Sequence, residues 1–307
     1  NIARRVHEGN YTFHPFREVD VPKDPTLPKT PENTRTLGIA SIRDALVQMI
    51  LYEDVLYDRA EALFSCLDKP GPVSFAYRRD KSTARAAKCI HKYIKADYLW
   101  VYDADLSRYF DSIPHDLLLE RVASLIGGNQ TRTYALVRRF IRADRTLHKS
   151  YKFVGKEIFY RKKPKRKHRC SGVPQGGMLS GLLSNLYLHR FDDWIVTNLA
   201  ERIDLRYVRY ADDFIVMVRR PKLLKSVKRE VISILESEKF NLLINRDKTR
   251  PIYIPEENLN FVGFRFDTEH IRVRDKSLRK FKSRFRRDVI NAVPKDRLKK
   301  GPNSTLK

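Results

Sequence analysis

The chain has 307 residues, with 62 Lys plus Arg against 37 Asp plus Glu, a formal charge of +25. Hydrophobic residues make up 42% of it, which excludes a disordered chain and allows one large domain or two to three subdomains with real cores. No apolar run approaches the roughly 18–20 residues of a membrane span, and the positive excess calls for a polyanionic partner.

An anionic membrane surface competes for that role. The aromatic content of 11% supplies stacking, which nucleic acid uses and lipid headgroups do not need. Cys66, Cys89 and Cys170 are far apart and odd in number, so neither a zinc site nor a disulfide framework is expected. Reduced thiols suit an intracellular, cytoplasmic protein, or an organellar or nuclear one in a eukaryote. No signal peptide opens the chain. It starts at Asn1 without Met, so a fragment or a processed piece is expected.

Prolines at 22, 25, 28 and 31 rule out a long helix near the start. Short strands and a loop ending at Arg35 are predicted there. Residues 40–64 are predicted helical, 68–72 a turn, and 82–96 a helix capped by Ser82. Trp100 to Leu106 alternates apolar residues with acids, as a half-buried strand does, so Asp103 and Asp105 share one face. Pro114 opens a helix that Gly127 and Gly128 close, and another helix covers about 131–143.

Residues 150–170 read as a hairpin closed by a basic run that includes Arg161, Lys162, Lys163, Lys165, Arg166, Lys167 and Arg169. That run is either a solvated loop or a phosphate-backbone contact. Gly172 to Gly177 is a tight, donor-rich loop before a mostly apolar helix. Residues 207–218 read as strand, turn, strand, with Asp212 and Asp213 at the tip. Alone, two such acids fit a solvated turn or a metal site equally. Pro221 opens an amphipathic helix. Short strands are predicted at 242–244 and 261–266, and a basic helix at 277–293. Past Pro294 the chain reads as disordered.

A third acid would decide the metal question, and Asp105 is the candidate. A strand beside the 207–218 hairpin would set it against Asp212 and Asp213. The three could then bind two Mg2+ ions about 4 Å apart for in-line phosphoryl transfer.

Taken together these motifs resemble the reverse transcriptases of group II introns, including their maturases. Arg209-Tyr-Ala-Asp-Asp213 resembles the family's catalytic hairpin, and Asp103-Ala-Asp-Leu-Ser-Arg-Tyr-Phe-Asp111 its first acid motif. Val173-Pro-Gln-Gly-Gly177 resembles the motif over the incoming nucleotide and template. Arg35-Thr-Leu-Gly-Ile39 and Phe75-Ala-Tyr-Arg78 resemble fingers segments, Asn245 to Thr249 a later palm motif, and Phe261-Val-Gly-Phe264 the primer grip.

The resemblance covers roughly residues 1–275 and implies an α+β right-hand polymerase fold. Its antiparallel palm sheet packs on helices, with a mixed fingers subdomain and an incomplete helical thumb. Fingers are implied at 1–100, palm at 101–275 and the start of a thumb with a basic tail at 276–307. The resemblance also implies Asp105, Asp212, Asp213 and the Leu106 carbonyl as ligands of Mg2+, with Mn2+ a substitute. Lys23, Arg35 and Lys248 would face the triphosphate, and Phe110 would be the gate against a ribose 2′-hydroxyl. Gln175 would lie at the nucleotide, and Val262 and Gly263 at the primer. The implied partners are an RNA template, a DNA or RNA primer, deoxynucleoside triphosphates and structured intron RNA.

The sequence departs from the family at Ser180-Gly181, where Ser-Pro is usual, and by about six extra residues between Lys23 and Arg35. Alternative readings are a CRISPR-associated or phage-defence reverse transcriptase and an RNA-binding splicing cofactor with little polymerase activity. An RNA-dependent RNA polymerase is disfavoured by Phe110 and by Tyr210-Ala211. The oligomeric state is not legible.

Overall fold

The computed structural model describes residues 1–25, 27–31, 33–69, 71–146, 151–154, 157–160 and 166–292. A short helix α1 (Ile2–His7) is capped by the Asn1 side chain, which accepts from the Ala3 N–H at 3.0 Å. Strands β1 (Phe16–Pro22) and β2 (Thr34–Ile39) pair antiparallel with Arg35 opposite Val21. Arg35 therefore lies inside a strand, not at the end of a loop. Pro22 ends β1 and Pro25, Pro28 and Pro31 fall between the strands, while Thr34, Thr36 and Ile39 favour extended backbone. Asn33 fastens the connecting loop by donating to the Asp24 and Pro28 carbonyls, each at 2.9 Å.

Helix α2 (Ile42–Ile50), capped by Ser41, runs through a π-helical turn (Leu51–Leu56) into α3 (Tyr57–Ser65). The Ser82 hydroxyl accepts from the Arg85 N–H at 3.2 Å and starts α4 (Thr83–Lys95), as its sequence predicts. Then come β3 (Trp100–Ala104), α5 (Tyr109–Ser112), α6 (His115–Ile126) and α7 (Arg132–Ile141). Gly127 ends α6 at φ +82°, a left-handed cap that glycine takes without cost.

The next region differs from the single hairpin expected. Strand β4 (Arg145–Thr146) precedes β5 (Tyr151–Val154) and β6 (Glu157–Tyr160), which pair only with each other, Val154 opposite Glu157. Strand β7 (Arg166–Lys167) pairs with β4 instead. The backbone pairing of β5 with β6 leaves Arg166 and Lys167 to a different sheet. Arg161, Lys162, Lys163 and Lys165 lie outside the described residues.

Helix α8 (Met178–Trp194) continues through a π-helical turn (Ile195–Leu199) into α9 (Ala200–Arg202). Strands β8 (Leu205–Tyr210) and β9 (Asp213–Val218) lead to α10 (Pro221–Glu236) and β10 (Arg250–Tyr253). The predicted strand at 242–244 is reduced to a bridge between Ile244 and Leu106, because Asn241 at φ +48° bends the chain just before it. Residues 261–266 are a hairpin rather than one strand. β11 (Leu259–Phe261) turns into β12 (Phe264–Phe266) through Val262 and Gly263, at φ +43° and +87°. Strand β13 (Ile271–Val273) and helix α11 (Asp275–Ala292) follow.

The sheet that positions the site has the order β10-β3-β9-β8, all antiparallel. It is covered on both faces. Tyr102, Ala104, Phe214 and Val216 belong to the large core with α8 and α10, while Val101, Ile215, Met217 and Ile252 pack with α4 and β12. Double coverage explains why β9 reads as a continuous apolar run instead of an alternating one. Helix α8 lies beneath the sheet, with Phe191 edge-on to Phe214 at 5.3 Å. A helix apolar on all sides is stable only when buried like this. Among the described residues no helix is long and apolar enough to cross a membrane.

Candidate active site

Strands β8 and β9 are joined by two residues, Ala211 and Asp212, with Tyr210 opposite Asp213. Ala211 sits at φ +58°, a left-handed conformation that costs an L-residue about 1–2 kcal/mol and persists only when its surroundings enforce it. Arg209 does so. Its guanidinium donates to the Ala211 carbonyl and to the Asn185 side chain, each at 2.9 Å. It also donates to the Asp192 carboxylate at 2.7 and 2.5 Å. Arg209 and Asp192 are each 1% exposed in their side chains. Burial works against the Arg209 charge, yet Asp192 outweighs it and holds the guanidinium pKa above its usual value. Tyr207 completes the bracket by donating to Asp192 at 2.7 Å.

Asp105 lies one residue past the end of β3, not within the strand. The chain departs there because Leu106 bridges Ile244 and the Ser107 N–H donates to the Leu243 carbonyl at 2.8 Å. Residues 245–249 then wrap the acid. The Asp105 carboxylate accepts from Lys248 Nζ at 2.7 Å and from the Asn245 amide at 3.2 Å. Its N–H donates to the Thr249 hydroxyl at 3.3 Å. Because Ala104 stands opposite Phe214, Asp105 is carried beside the hairpin acids.

Charge crowding follows from that register. Burial, then the charges of Asp212 and Asp105, push the Asp213 carboxyl up to about 8. Asp213 is exposed by surface area, so its neighbours' charges are the firmer cause. Asp212 is also raised, by burial and by Asp105, while Lys248 and Arg209 pull the other way. Burial raises Asp103 to about 6. The hydrogen bond to Asp105 holds the Lys248 ammonium above its usual pKa. Carboxylates gathered this way are relieved by a cation.

Among the described residues no three acid, His or Cys side chains already enclose a metal. The donor set still fits Mg2+, which takes one or two carboxylates and completes its shell with water and substrate phosphate. Lys248 at Asp105 is a cation already seated where that charge belongs.

Of the expected nucleotide residues, Lys248 touches Asp105, and the others lie on elements tied to one another. Phe110 in α5 lies edge-on to Tyr77 at 6.4 Å. Its carbonyl accepts from the Val173 N–H at 2.7 Å, tying α5 to the Gly172–Gly177 loop. Gly172 at φ +77° is required there, since a Cβ would come within 2.4 Å of the Phe110 carbonyl oxygen. The Gln175 carbonyl accepts from the Gly38 N–H at 2.6 Å, fixing the same loop to β2.

Arg35 is exposed on β2, and its charge reaches the Tyr77 hydroxyl. Lys23 lies on the loop between β1 and β2, where its carbonyl accepts from Lys280 of α11 at 2.9 Å. The Val262–Gly263 turn rests on the start of α11, with the Arg274 N–H donating to the Gly263 carbonyl at 3.0 Å. Arg166 and Lys167 are exposed. Arg169 is 8% exposed and lies 4.0 Å from Asp111.

Sequence reasoning missed the supports Asn185, Asp192, Asn245 and Thr249, and the position of Tyr77. One signal was available. Arg209 shares one face of the strand with Leu205 and Tyr207 by alternation, and a charge on an otherwise apolar face needs a buried partner.

An antiparallel sheet backed by helices, presenting one acid after its central strand and two at the adjacent hairpin tip, defines the nucleotidyl-transferring polymerases of the palm type. The sequence profile of the reverse transcriptase (RNA-dependent DNA polymerase) family matches residues 22–266, and the chain belongs to that family. It is 27% identical to Protein YkfC of Escherichia coli, over 83% of this chain and 66% of that protein. It is 23% identical to the group II intron-encoded protein LtrA of Lactococcus lactis, over 94% of this chain and 52% of LtrA. The putative COX1/OXI3 intron 1 protein of Saccharomyces cerevisiae is 24% identical over 97% of this chain and 39% of its own length. The chain thus spans two thirds or less of these relatives. Apo telomerase from Candida tropicalis shares the fold with a TM-score of 0.61 and 18% identity, over 87% of this chain and 49% of that one.

Proposed function

We propose that the chain is the polymerising part of an RNA-directed DNA polymerase of group II intron type. The observation that carries this reading is the β3–β9 register, which sets Asp105 beside Asp212 and Asp213. Asp105, Asp212, Asp213 and the Leu106 carbonyl would hold two Mg2+ ions, with Mn2+ as a substitute. When bound, these ions activate a primer 3′-hydroxyl and hold the leaving pyrophosphate. Lys248, Arg35 and Lys23 take the triphosphate charge. Phe110 excludes the ribose 2′-hydroxyl, Gln175 lies over the nucleotide, and the Val262–Gly263 turn supports the primer. On this reading fingers span 1–100, palm 101–275 and the beginning of a thumb 276–307. The substrates are deoxynucleoside triphosphates on an RNA template with a DNA or RNA primer.

The test is primer extension on RNA with Mg2+. Asp212→Ala should lower the rate by about 10³-fold or more, the worth of several kcal/mol of metal-borne stabilisation. Undiminished activity in that variant would sink the reading. Phe110→Val should admit ribonucleotides.

A maturase role beside polymerisation is supported by the +25 charge and by α11. That helix carries basic residues together with Phe281 and Phe285, which are 65% and 61% exposed. Binding of structured intron RNA that survives Asp212→Ala, and weakens steeply with salt, would separate the two activities.

A further inference from the structure

Tyr77 is held by its neighbours in a strained backbone conformation. Its backbone is left-handed at φ +55°, a costly conformation for an aromatic residue. Both neighbours hold it there. The Ala76 carbonyl accepts from the buried Asn185 amide at 2.6 Å, and Asn185 also receives the Arg209 guanidinium that braces the hairpin tip. On the other side, Arg78 is 4% exposed and donates to Glu61 at 2.6 Å and Asp68 at 2.9 Å. One residue earlier in the segment, the Phe75 N–H donates to the Arg209 carbonyl at 3.0 Å.

The payload of this scaffold is a side chain left 46% exposed. Its ring stands edge-on to Phe110 at 6.4 Å. Burial, then the Asp212 charge, raise the hydroxyl, and Arg35 lowers it. The other side of the ring rests on α8 at Gly181. A Cβ there would approach the ring to 2.5 Å. Gly181 is a glycine inside a helix, which costs about 1 kcal/mol relative to Ala and is explained by the seat it makes for Tyr77.

We infer that Tyr77, admitted by Gly181, is a specificity-determining residue that packs against the planar nucleobase of the nascent base pair. The inference rests on the polymerase reading above. Phe110 addresses the sugar, and Tyr77, the next ring along the same wall towards α8, meets the base. The contact is one of ring and base faces.

Single-turnover primer extension on an RNA template, with the whole chain, tests this. Nucleotide binding is measured in parallel on a dideoxy-terminated primer. Tyr77→Ala should raise the KM for the correct deoxynucleotide about 5- to 100-fold, the range for losing one base-stacking contact, and should narrow discrimination against mismatches. Tyr77→Phe, which keeps the ring, should recover most of both. Gly181→Ala should act in the same direction, and adding it to Tyr77→Ala should cost little more. Wild-type protein that extends primer while Tyr77→Ala keeps its KM and mismatch ratio overturns this inference alone. A Tyr77→Phe variant as impaired as Tyr77→Ala overturns the packing role. Wild-type protein that neither extends primer nor binds nucleotide overturns the polymerase reading and this inference with it.

Discussion

Lys248 Nζ lies 2.7 Å from Asp105 Oδ2, so the first acid of the site meets an internal cation that comes 143 residues later in the chain. On the polymerase reading, Lys248 and a divalent metal would compete for the same oxygen. Lys248→Met should therefore tighten Mg2+ binding to the free protein, seen by titration calorimetry. It should also raise the KM for deoxynucleotides about tenfold, since a charge on the triphosphate is lost.

The hairpin acids repel one another and Asp105. Mg2+ at about ten times its dissociation constant should raise Tm by about 2–4 °C in thermal unfolding. Asp213→Asn should stabilise the metal-free protein and shrink the Mg2+ increment. An unchanged increment would mean that Asp213 is outside the metal site.

Arg209→Met leaves Asp192 buried without its partner. Breaking a buried pair this way costs about 3–5 kcal/mol, to be read from denaturant unfolding. Arg209→Lys should recover little, because one ammonium cannot serve Asp192, Asn185 and the Ala211 carbonyl together. Arg209→Lys with wild-type stability would refute the bracket.

Gly172→Ala places a methyl group against the Phe110 carbonyl and forces a left-handed alanine. A loss of about 2–4 kcal/mol is expected. Phe110 should loosen with it, and the preference for deoxy- over ribonucleotides should fall in competition assays.

The His115 ring lies 2.8 Å from the Gly172 carbonyl and donates to it. Burial, with Arg142 and Arg169 nearby, holds its pKa below the ordinary 6.5. A histidine with a depressed folded pKa contributes stability that is complete above pH 6.5 and lost as pH falls through its folded value. Unfolding midpoints should therefore drop below pH 6.5, and His115→Gln should flatten that drop.

The acids were legible because alternation and turn chemistry are local signals. Asp105 beside Asp212 and Asp213 follows once β3 is placed next to β9. Capping at Ser82 and the Pro221 start of α10 are local in the same sense. The bracket of Arg209, Asp192 and Asn185 was not legible, because it joins a strand to the helix before it through side chains alone. The split of residues 150–170 between two sheets was also hidden, since strand partnership depends on which edges are free. The wrap of Asp105 by residues 245–249 spans more than 140 positions, and no local pattern announces it.

Strand β3 takes its neighbours from β9 and β10, whose residues are made more than 100 positions after it. At about 5–20 residues per second, the ribosome delivers the second neighbour about 7–30 s after the strand itself. Until β9 is made both edges of β3 are open to wrong partners, and one edge stays open until β10 follows. Yield in the cell should therefore depend on how quickly the stretch from β9 to β10 is translated. Slow codons between β9 and β10 should cost soluble protein, while the same codons placed after Tyr253 should cost none.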